Sequence, residues 1–289
     1  MSRVSIDIED VEAKSIITKS QIGDDMYVAN PYIGCSHGCI YCYAVFMRRF
    51  TNHMNDKWGS FVDIKHWKPL TERQKLKYRG KWIMISSTTD AYQKLTETDS
   101  KRTQALLMEL KDAGINISIL TKSNLILRDL ELLKGFSGKV AIGVSINTID
   151  DELRSEQDRA STIMERLEVL KTFHKNGFYC YCFIAPSFPV LSDVLGVMNM
   201  VKRFVNEIWI DSLNLVDSNV KSVVYKYIET KHPELKELYV DIYTNKNQTY
   251  FKDLKKTVRD WCKQNNAKYV QNELSGYNRK KLTILDFIE

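Results

Sequence analysis

The chain has 289 residues, 44% hydrophobic and 27% charged, with 12 glycines, 5 prolines and a formal net charge of +6. That length buries a large core and suits one barrel-type domain or two small ones, and the composition excludes a disordered, fibrous or disulfide-rich chain. The start, "MSRVSIDIEDVEAKS", carries acids where a signal peptide needs a basic start, and the longest apolar run, around "FYCYCFIAP", is too short to span a bilayer, so a cytosolic protein without membrane contact is expected.

In chain order the β-rich runs are "MYVANPY" (26–32), "WIMISST" (82–88), "INISIL" (115–120), "VAIGVSIN" (140–147), "FYCYCFI" (178–184) and "EIWID" (207–211). Helical patterns near 44–54, 101–113, 128–134, 161–176 and 192–205 lie between them; in the fourth, Ile163, Leu167 and Leu170 recur at helical spacing and Asn176-Gly177 stops it. Strands alternating with helices predict an α/β fold with a parallel sheet, here a partial (β/α)6 TIM-type barrel. A last helix over 249–265, with Tyr250, Phe251, Leu254, Val258, Trp261 and Cys262 on one side, packs as an appendage. The expected organisation is a lead-in over 1–24, the barrel over 25–215 and a basic helical extension over 216–289.

Strand parity indicates where a cavity would lie. "VAIGVSIN" puts Val140, Ile142, Val144 and Ile146 on one face, and the small or polar Ala141, Gly143, Ser145 and Asn147 on the other. In barrels of this kind chemistry sits at the C-terminal strand ends. Lys122, Ser145, Asn147 and "SSTTD" (86–90) fall there, as does a cysteine cluster after the first strand.

That cluster, "NPYIGCSHGCIYCYA" (30–44), places Cys35, Cys39 and Cys42 as C-x3-C-x2-C. Chance placement of six cysteines gives this spacing roughly 0.003 times per chain, and a reducing compartment directs clustered thiols to metal or chemistry. Thiolates select zinc, copper(I) or iron-sulfur clusters. A tetrahedral zinc site needs a fourth ligand, which His37, between two of the cysteines, is badly placed to give. Three thiolates hold three irons of a 4Fe-4S cube and leave one open. Gly34 and Gly38 let the loop turn closely around such a group.

"CSHGCIYCY" resembles the cluster loop of the radical S-adenosylmethionine (SAM) superfamily. "SSTTDAYQ", "ILTKSNLILRD", "VSINTID" and "APSFP" follow in the order of the subgroup similar to spore photoproduct lyase and DNA-repair-photolyase-like proteins, so the likeness covers about residues 14–210. The resemblance implies a 4Fe-4S cluster on Cys35, Cys39 and Cys42. With it would come SAM, one-electron cleavage of that cofactor to a 5'-deoxyadenosyl radical, and an electron donor such as flavodoxin or ferredoxin. It puts Tyr41 beside the adenine, Thr88, Thr89 and Asp90 at the methionine amino end, and Lys122 and Ser145 at the ribose or carboxylate. The chain is also similar to radical SAM mobile pair B proteins, which implies a second radical SAM protein as partner. Two departures stand out: Ser87 occupies the place of a hydrogen-donating cysteine, which puts thymine-dimer repair by that route in doubt, and "RSEQDRAST" (154–162) replaces a glutamate-proline step.

Other residues have plainer readings. Cys180 and Cys182, two apart on one strand face, read first as small buried hydrophobes; if that face lines the barrel, either thiol could give a hydrogen atom to a substrate radical, and Tyr179 and Tyr181 on the other face are the alternative. Tyr43 is a candidate for packing near the cofactor or for radical transfer. His53, His66, His174 and His232 lack ligand-like spacing and read as surface or loop residues. Residues 48–81 and 246–281 each hold ten Lys/Arg against three acids, interleaved with aromatics, as surfaces that hold phosphates and stack bases do; solvated helix faces are the equal alternative. Nucleic acid is the first substrate class expected; a peptide or protein substrate is the second, and a non-catalytic zinc or iron-sulfur module the third.

Overall fold

Eleven strands and the helices between them build the fold in the computed structural model, which describes residues 5–20, 26–265 and 269–271. The strands are β1 (Asp7–Ala13), β2 (Ile17–Lys19), β3 (Met26–Ala29), β4 (Tyr32–Ile33), β5 (Phe61–Trp67), β6 (Trp82–Ile85), β7 (Asn116–Thr121), β8 (Val140–Ser145), β9 (Tyr179–Ser187), β10 (Glu207–Ser212) and β11 (Tyr269–Gln271). The main sheet runs β11-β10-β9-β8-β7-β6-β3-β2, and a three-stranded sheet runs β1-β5-β4. From β3 through β11 every pairing in the main sheet is parallel, and β2 joins antiparallel. Among the described residues its two edges, β2 and β11, do not pair with each other, so the sheet is an open crescent. All six expected barrel strands are present, in their expected order.

The helix Ile163–Lys175 shows how local chemistry sets the elements. Thr162 and Glu165 form a reciprocal capping box at its start, and Gly177 follows its end at φ +81°. Residues 128–134 form a 3-10 turn (Asn124–Asp129) running into a short helix (Leu130–Lys134), and the expected helix at 44–54 is a 3-10 helix over Tyr43–Phe50. The expected helix over 249–265 is observed as Thr249–Asn265.

Parity divides the sheet as the sequence of β8 suggests. Ile83, Ile85, Ile117, Ile119, Ile142 and Val144 point outward into a core shared with Leu106, Leu110, Leu167 and Leu170 of the covering helices. Trp82, Ala141 and Tyr181 point inward, with Leu120, Tyr179 and Trp209 beside them. Cys180 and Cys182 register with Ile142 and Val144 and are buried in the outer core. The condition for their hydrogen-donor role is therefore not met, because the helix-covered face of β9 holds them and the tyrosines hold the lumen.

The flanking segments join the same body. β1 and β2, from the expected lead-in, belong to the two sheets. Val258, Trp261 and Cys262 enter the main core and β11 pairs with β10, so part of the chain after 215 is built into the barrel wall. The helices Ser218–Lys231 and Lys236–Tyr243 bring Val220, Val224, Ile228 and Tyr239 onto Tyr41, Val45 and Phe188 in a second core. Residues 266–268 and 272–289, which carry part of the second basic block, lie outside the described residues.

Candidate active site

β4, antiparallel to β5, delivers the chain into the cysteine loop. Gly34 has φ +82°, and a Cβ there would lie 2.6 Å from the Phe61 carbonyl oxygen, so only glycine fits. Gly38 is also left-handed, at φ +54°. Inside the loop the Gly38 N–H donates to Cys35 C=O (3.2 Å) and the Cys42 N–H to Cys39 C=O (3.2 Å). From outside, Thr89 Oγ1 donates to Gly34 C=O (2.5 Å) and the Ser36 N–H to Gln93 Oε1 (2.7 Å). Across the loop, Arg159 donates through its guanidinium to Ser36 C=O (2.9 Å) and Gly59 C=O (2.5 Å), and through its N–H to His37 C=O (2.9 Å). The loop's shape is thus fixed largely by its backbone ties.

The three thiols are free, Cys35 buried and the other two partly buried. Burial pushes Cys35 up to about 12, with the charges of Asp90 and Cys42 adding. Burial likewise raises Cys39 and Cys42. Thiols so placed keep their protons until a metal displaces them. Burial works to lower Lys122, but the Cys39 sulfur, once it is a thiolate, and Asp158 outweigh it and raise it.

The strand ends converge on this loop. Asp90 is a knot: Oδ1 accepts from Tyr92 N–H (2.9 Å) and Thr121 Oγ1 (2.8 Å), Oδ2 accepts from Lys122 N–H (2.8 Å), and His37 Nδ1 lies 3.5 Å away. Burial lowers His37 and keeps its imidazole neutral. Asn30 donates to Ser87 Oγ (2.8 Å) and accepts from the Thr88 N–H (3.1 Å). Tyr43, 54% exposed, donates its hydroxyl to the Ser87 carbonyl, which ties the residue after the last cysteine to the end of β6. Tyr41 is buried edge-on against Phe188, its hydroxyl donates to Asp158 Oδ2 (3.2 Å), and Lys122 Nζ lies 5.8 Å from its ring centroid.

Sequence reasoning assigned no role to the support behind Tyr41. Arg166, fully buried, donates to Asp158 Oδ1 (2.6 Å), Ser161 C=O (2.8 Å) and Ser145 C=O (3.1 Å). Burial would lift Asp158, but the Arg166 and Lys122 cations outweigh it and hold it below the usual carboxylate range. Arg166 was detectable: it stands three after Ile163 and four before Leu170, a cation within the apolar stripe. At the end of β8, Asn147 donates to Gln157 Oε1 (2.9 Å), while its buried Oδ1 has no hydrogen-bond partner.

The structure therefore brings Cys35, Cys39, Cys42, Tyr41, Tyr43, Lys122 and Ser145 together with the segment 88–90, and it leaves Cys180 and Cys182 in the outer core. Within 88–90, Thr89 and Asp90 spend their polar atoms on the protein, and Thr88 is the partly exposed member. His53 departs from the surface reading: it is 3% exposed, because β1 and β5 enclose it. Deeper in the lumen, Tyr181 lies across Gly143, where a Cβ would fall 2.2 Å from the ring, and its hydroxyl is 3.1 Å from Ser118 Oγ.

A family model described as the radical SAM superfamily matches residues 29–193, which span every group just described up to β9. The chain belongs to the radical SAM superfamily. It is 38% identical over 234 residues to an uncharacterized protein of Methanocaldococcus jannaschii, covering 81% of this chain and 86% of that one. An uncharacterized protein of Acidianus two-tailed virus is 29% identical, with 71% of each chain covered. Among solved structures, spore photoproduct lyase complexed with dinucleoside spore photoproduct aligns with TM-score 0.64 at 13% identity, over 93% of this chain and 82% of that one. Streptococcus suis SuiB bound to precursor peptide SuiA aligns with TM-score 0.53 at 14% identity, over 86% and 48%. At such identities these two show the fold. The superfamily makes this radical SAM protein an enzyme and implies SAM and an iron-sulfur cluster as cofactors.

Proposed function

We propose that this radical SAM enzyme holds a 4Fe-4S cluster through Cys35, Cys39 and Cys42, binds SAM across the strand ends, and acts on nucleic acid. The observation that carries the cofactor reading is a loop fixed largely by its backbone ties that gathers three free cysteines, one buried and two partly buried. The donor set fits the group: three soft sulfurs for three irons, and the unpartnered Asn147 Oδ1 beside Ser145 for a polar portion of SAM. When bound, the cluster and SAM supply one-electron cleavage to a 5'-deoxyadenosyl radical that abstracts hydrogen from a substrate.

The protein's share is placement. Lys122 adds positive charge over the loop, Tyr41 and Thr88 shape the adenine and methionine ends, and the lumen of Trp82, Tyr181 and Trp209 excludes water. Tyr181, on the lumen face of β9, takes the hydrogen-relay role that the sequence also allowed to the cysteines. Electrons come from a one-electron donor such as flavodoxin or ferredoxin, and a second radical SAM protein is the expected partner.

The nucleic-acid reading rests on the 3-10 helix directly after Cys42. Its Phe46 and Phe50 are 37% and 61% exposed, and the Arg49 guanidinium carbon sits 5.4 and 4.7 Å from their ring centroids. Exposed rings beside a cation offer stacking faces to unpaired bases and a charge to phosphate. By contrast, the later part of the first basic block, through Lys81, lies at the N-terminal ends of β6 and β7, where Asn116 N–H bonds Lys81 C=O (3.0 Å), away from the cysteine loop.

Anaerobic reconstitution followed by reduction with SAM tests the chemistry: about four irons per chain and release of 5'-deoxyadenosine are expected, whereas one tightly held zinc and no cleavage would refute it. Binding to single-stranded DNA or RNA should weaken steeply with salt. The Phe46→Ala/Phe50→Ala chain should lose about 1–3 kcal/mol per stacked base while its stability stays within about 0.5 kcal/mol. Salt-insensitive or absent binding favours a peptide substrate.

A further inference from the structure

The three-stranded sheet holds a second group of ligating side chains that the reaction above does not use. Glu9 of β1 and Asp63 of β5 are direct partners in a parallel pairing, and Asp7 stands opposite Phe61 on the same face. Carboxylates set opposite one another in a sheet repel. Above them lies the His53 imidazole, stacked on Phe61 with ring centroids 4.3 Å apart and planes 15° apart. Asp63, 2% exposed, is as buried as His53.

The two nitrogens of His53 have different surroundings. Nδ1 lies 2.6 Å from Asp56 Oδ2, and a ring hydrogen on Nδ1 in that contact would leave Nε2 able to ligate a metal. Nε2 is 3.1 Å from Asp63 Oδ1 and 3.9 Å from Glu9 Oε1. Both atoms are buried and neither makes a well-formed hydrogen bond, although they approach each other as a 3.1 Å ion pair. Asn52 donates to the other oxygen of Glu9 (3.2 Å) and leaves Oε1 on the His53 side. An open cleft of about 570 Å³, lined in part by Glu9, Asn52 and Asp63, reaches the group from solvent. Lys65, further along β5, contributes positive charge near Asp63, yet the imidazole nitrogen and carboxylate oxygen still lack a well-formed hydrogen bond.

We propose that Glu9 Oε1, His53 Nε2 and Asp63 Oδ1 bind a divalent cation of the manganese or zinc class. The three atoms lie within 4.8 Å of one another, and one imidazole with two carboxylates is a donor set for borderline to hard divalent ions. Metal-ligand bonds of about 2.0–2.2 Å set ligand atoms roughly 3–3.5 Å apart. Nε2 and Asp63 Oδ1 already meet that spacing, and Glu9, on the more accessible strand, closes the remainder. The cation would fasten β1 to β5 behind the cysteine loop, since Phe61, beneath His53, also backs Gly34.

Titration of the full wild-type chain with Mn2+, followed by the loss of the free-ion EPR signal, tests this, because a hard cation avoids the thiolates of the cysteine loop. About one tight equivalent per chain is expected, with nitrogen coupling from His53 in the pulsed EPR spectrum. Asp63→Asn and His53→Gln should each weaken uptake at least tenfold. Glu9→Gln, at a partly exposed position that leaves folding intact, should weaken it severalfold, and Mn2+ should raise the thermal midpoint of the wild type more than that of this variant. No uptake at millimolar Mn2+, or equal uptake in the wild type and Glu9→Gln, would overturn the proposal and leave an imidazolium-carboxylate pair.

Discussion

Two buried charged groups flank the cysteine loop, and they differ in how their polar atoms are spent. Around Asp158 the atoms are partnered: Arg166 Nη2 (2.6 Å), the Ala160 N–H (3.0 Å) and Tyr41 Oη (3.2 Å) donate to it, and the rest of Arg166 is bonded to Ser161 and Ser145. Around Asp63 a carboxylate oxygen and an imidazole nitrogen lie 3.1 Å apart without a well-formed hydrogen bond. The first arrangement fastens the end of β8 and the segment before the helix Ile163–Lys175 to the aromatic beside the loop. The second keeps coordination capacity in reserve. Buried charge is thus no single category: its satisfaction decides whether it locks a fold or receives a ligand.

Substitutions should separate the two groups from each other and both from the loop. Cys42→Ala should reduce 5'-deoxyadenosine release to background in the anaerobic assay while leaving unfolding of the cluster-free chain within about 1 kcal/mol; release that survives would break the assignment of the loop. Arg166→Met takes from the buried Asp158 its closest cation, leaving Arg154 at 3.8 Å, and should cost about 3–5 kcal/mol in urea unfolding. The pH dependence has a definite sign. Asp158 is held below its ordinary value, so its contribution is full above the unfolded pKa of about 3.9 and is lost as pH falls below that toward the folded value. Asp158→Asn should flatten this acid limb of the stability profile. Gly143→Ala pushes a methyl group into the Tyr181 ring and should cost about 1–3 kcal/mol, also read in urea. Asp63→Asn, in the absence of added cation, should change stability by less than about 1 kcal/mol. A loss as large as that of Arg166→Met would erase the distinction between the groups.

The barrel strands and the cysteine loop were legible because both signals are local. Period-two alternation in "VAIGVSIN" and C-x3-C-x2-C spacing each fit inside one short segment. The lumen face of β8 was identified from its small residues, yet the face of β9 was not, since "FYCYCFI" offers thiols on one side and aromatics on the other. Gly143 supplied the missing complement, visible only once its strand lies beside Tyr181. The pairing of "DIEDVEA" with "FVDIKHW" was missed for a related reason: the first reads as an acidic lead-in, and its register against β5 spans more than fifty residues. His53 consequently looked like a loop histidine. Arg166 did leave a trace, a cation in an apolar stripe, but its partner Asp158 lies in a segment whose conformation no periodicity specifies.

Among the described residues the edges at β2 and β11 do not pair with each other, and this has a topological consequence. A closed ring of strands admits a long molecule only by threading an end through it, whereas a crescent lets a chain be laid in from the side. On the proposed nucleic-acid reading, a nucleotide in the middle of a long polymer could therefore reach the lumen without a free terminus nearby, and a covalently circular strand would be admitted on the same terms as a linear one.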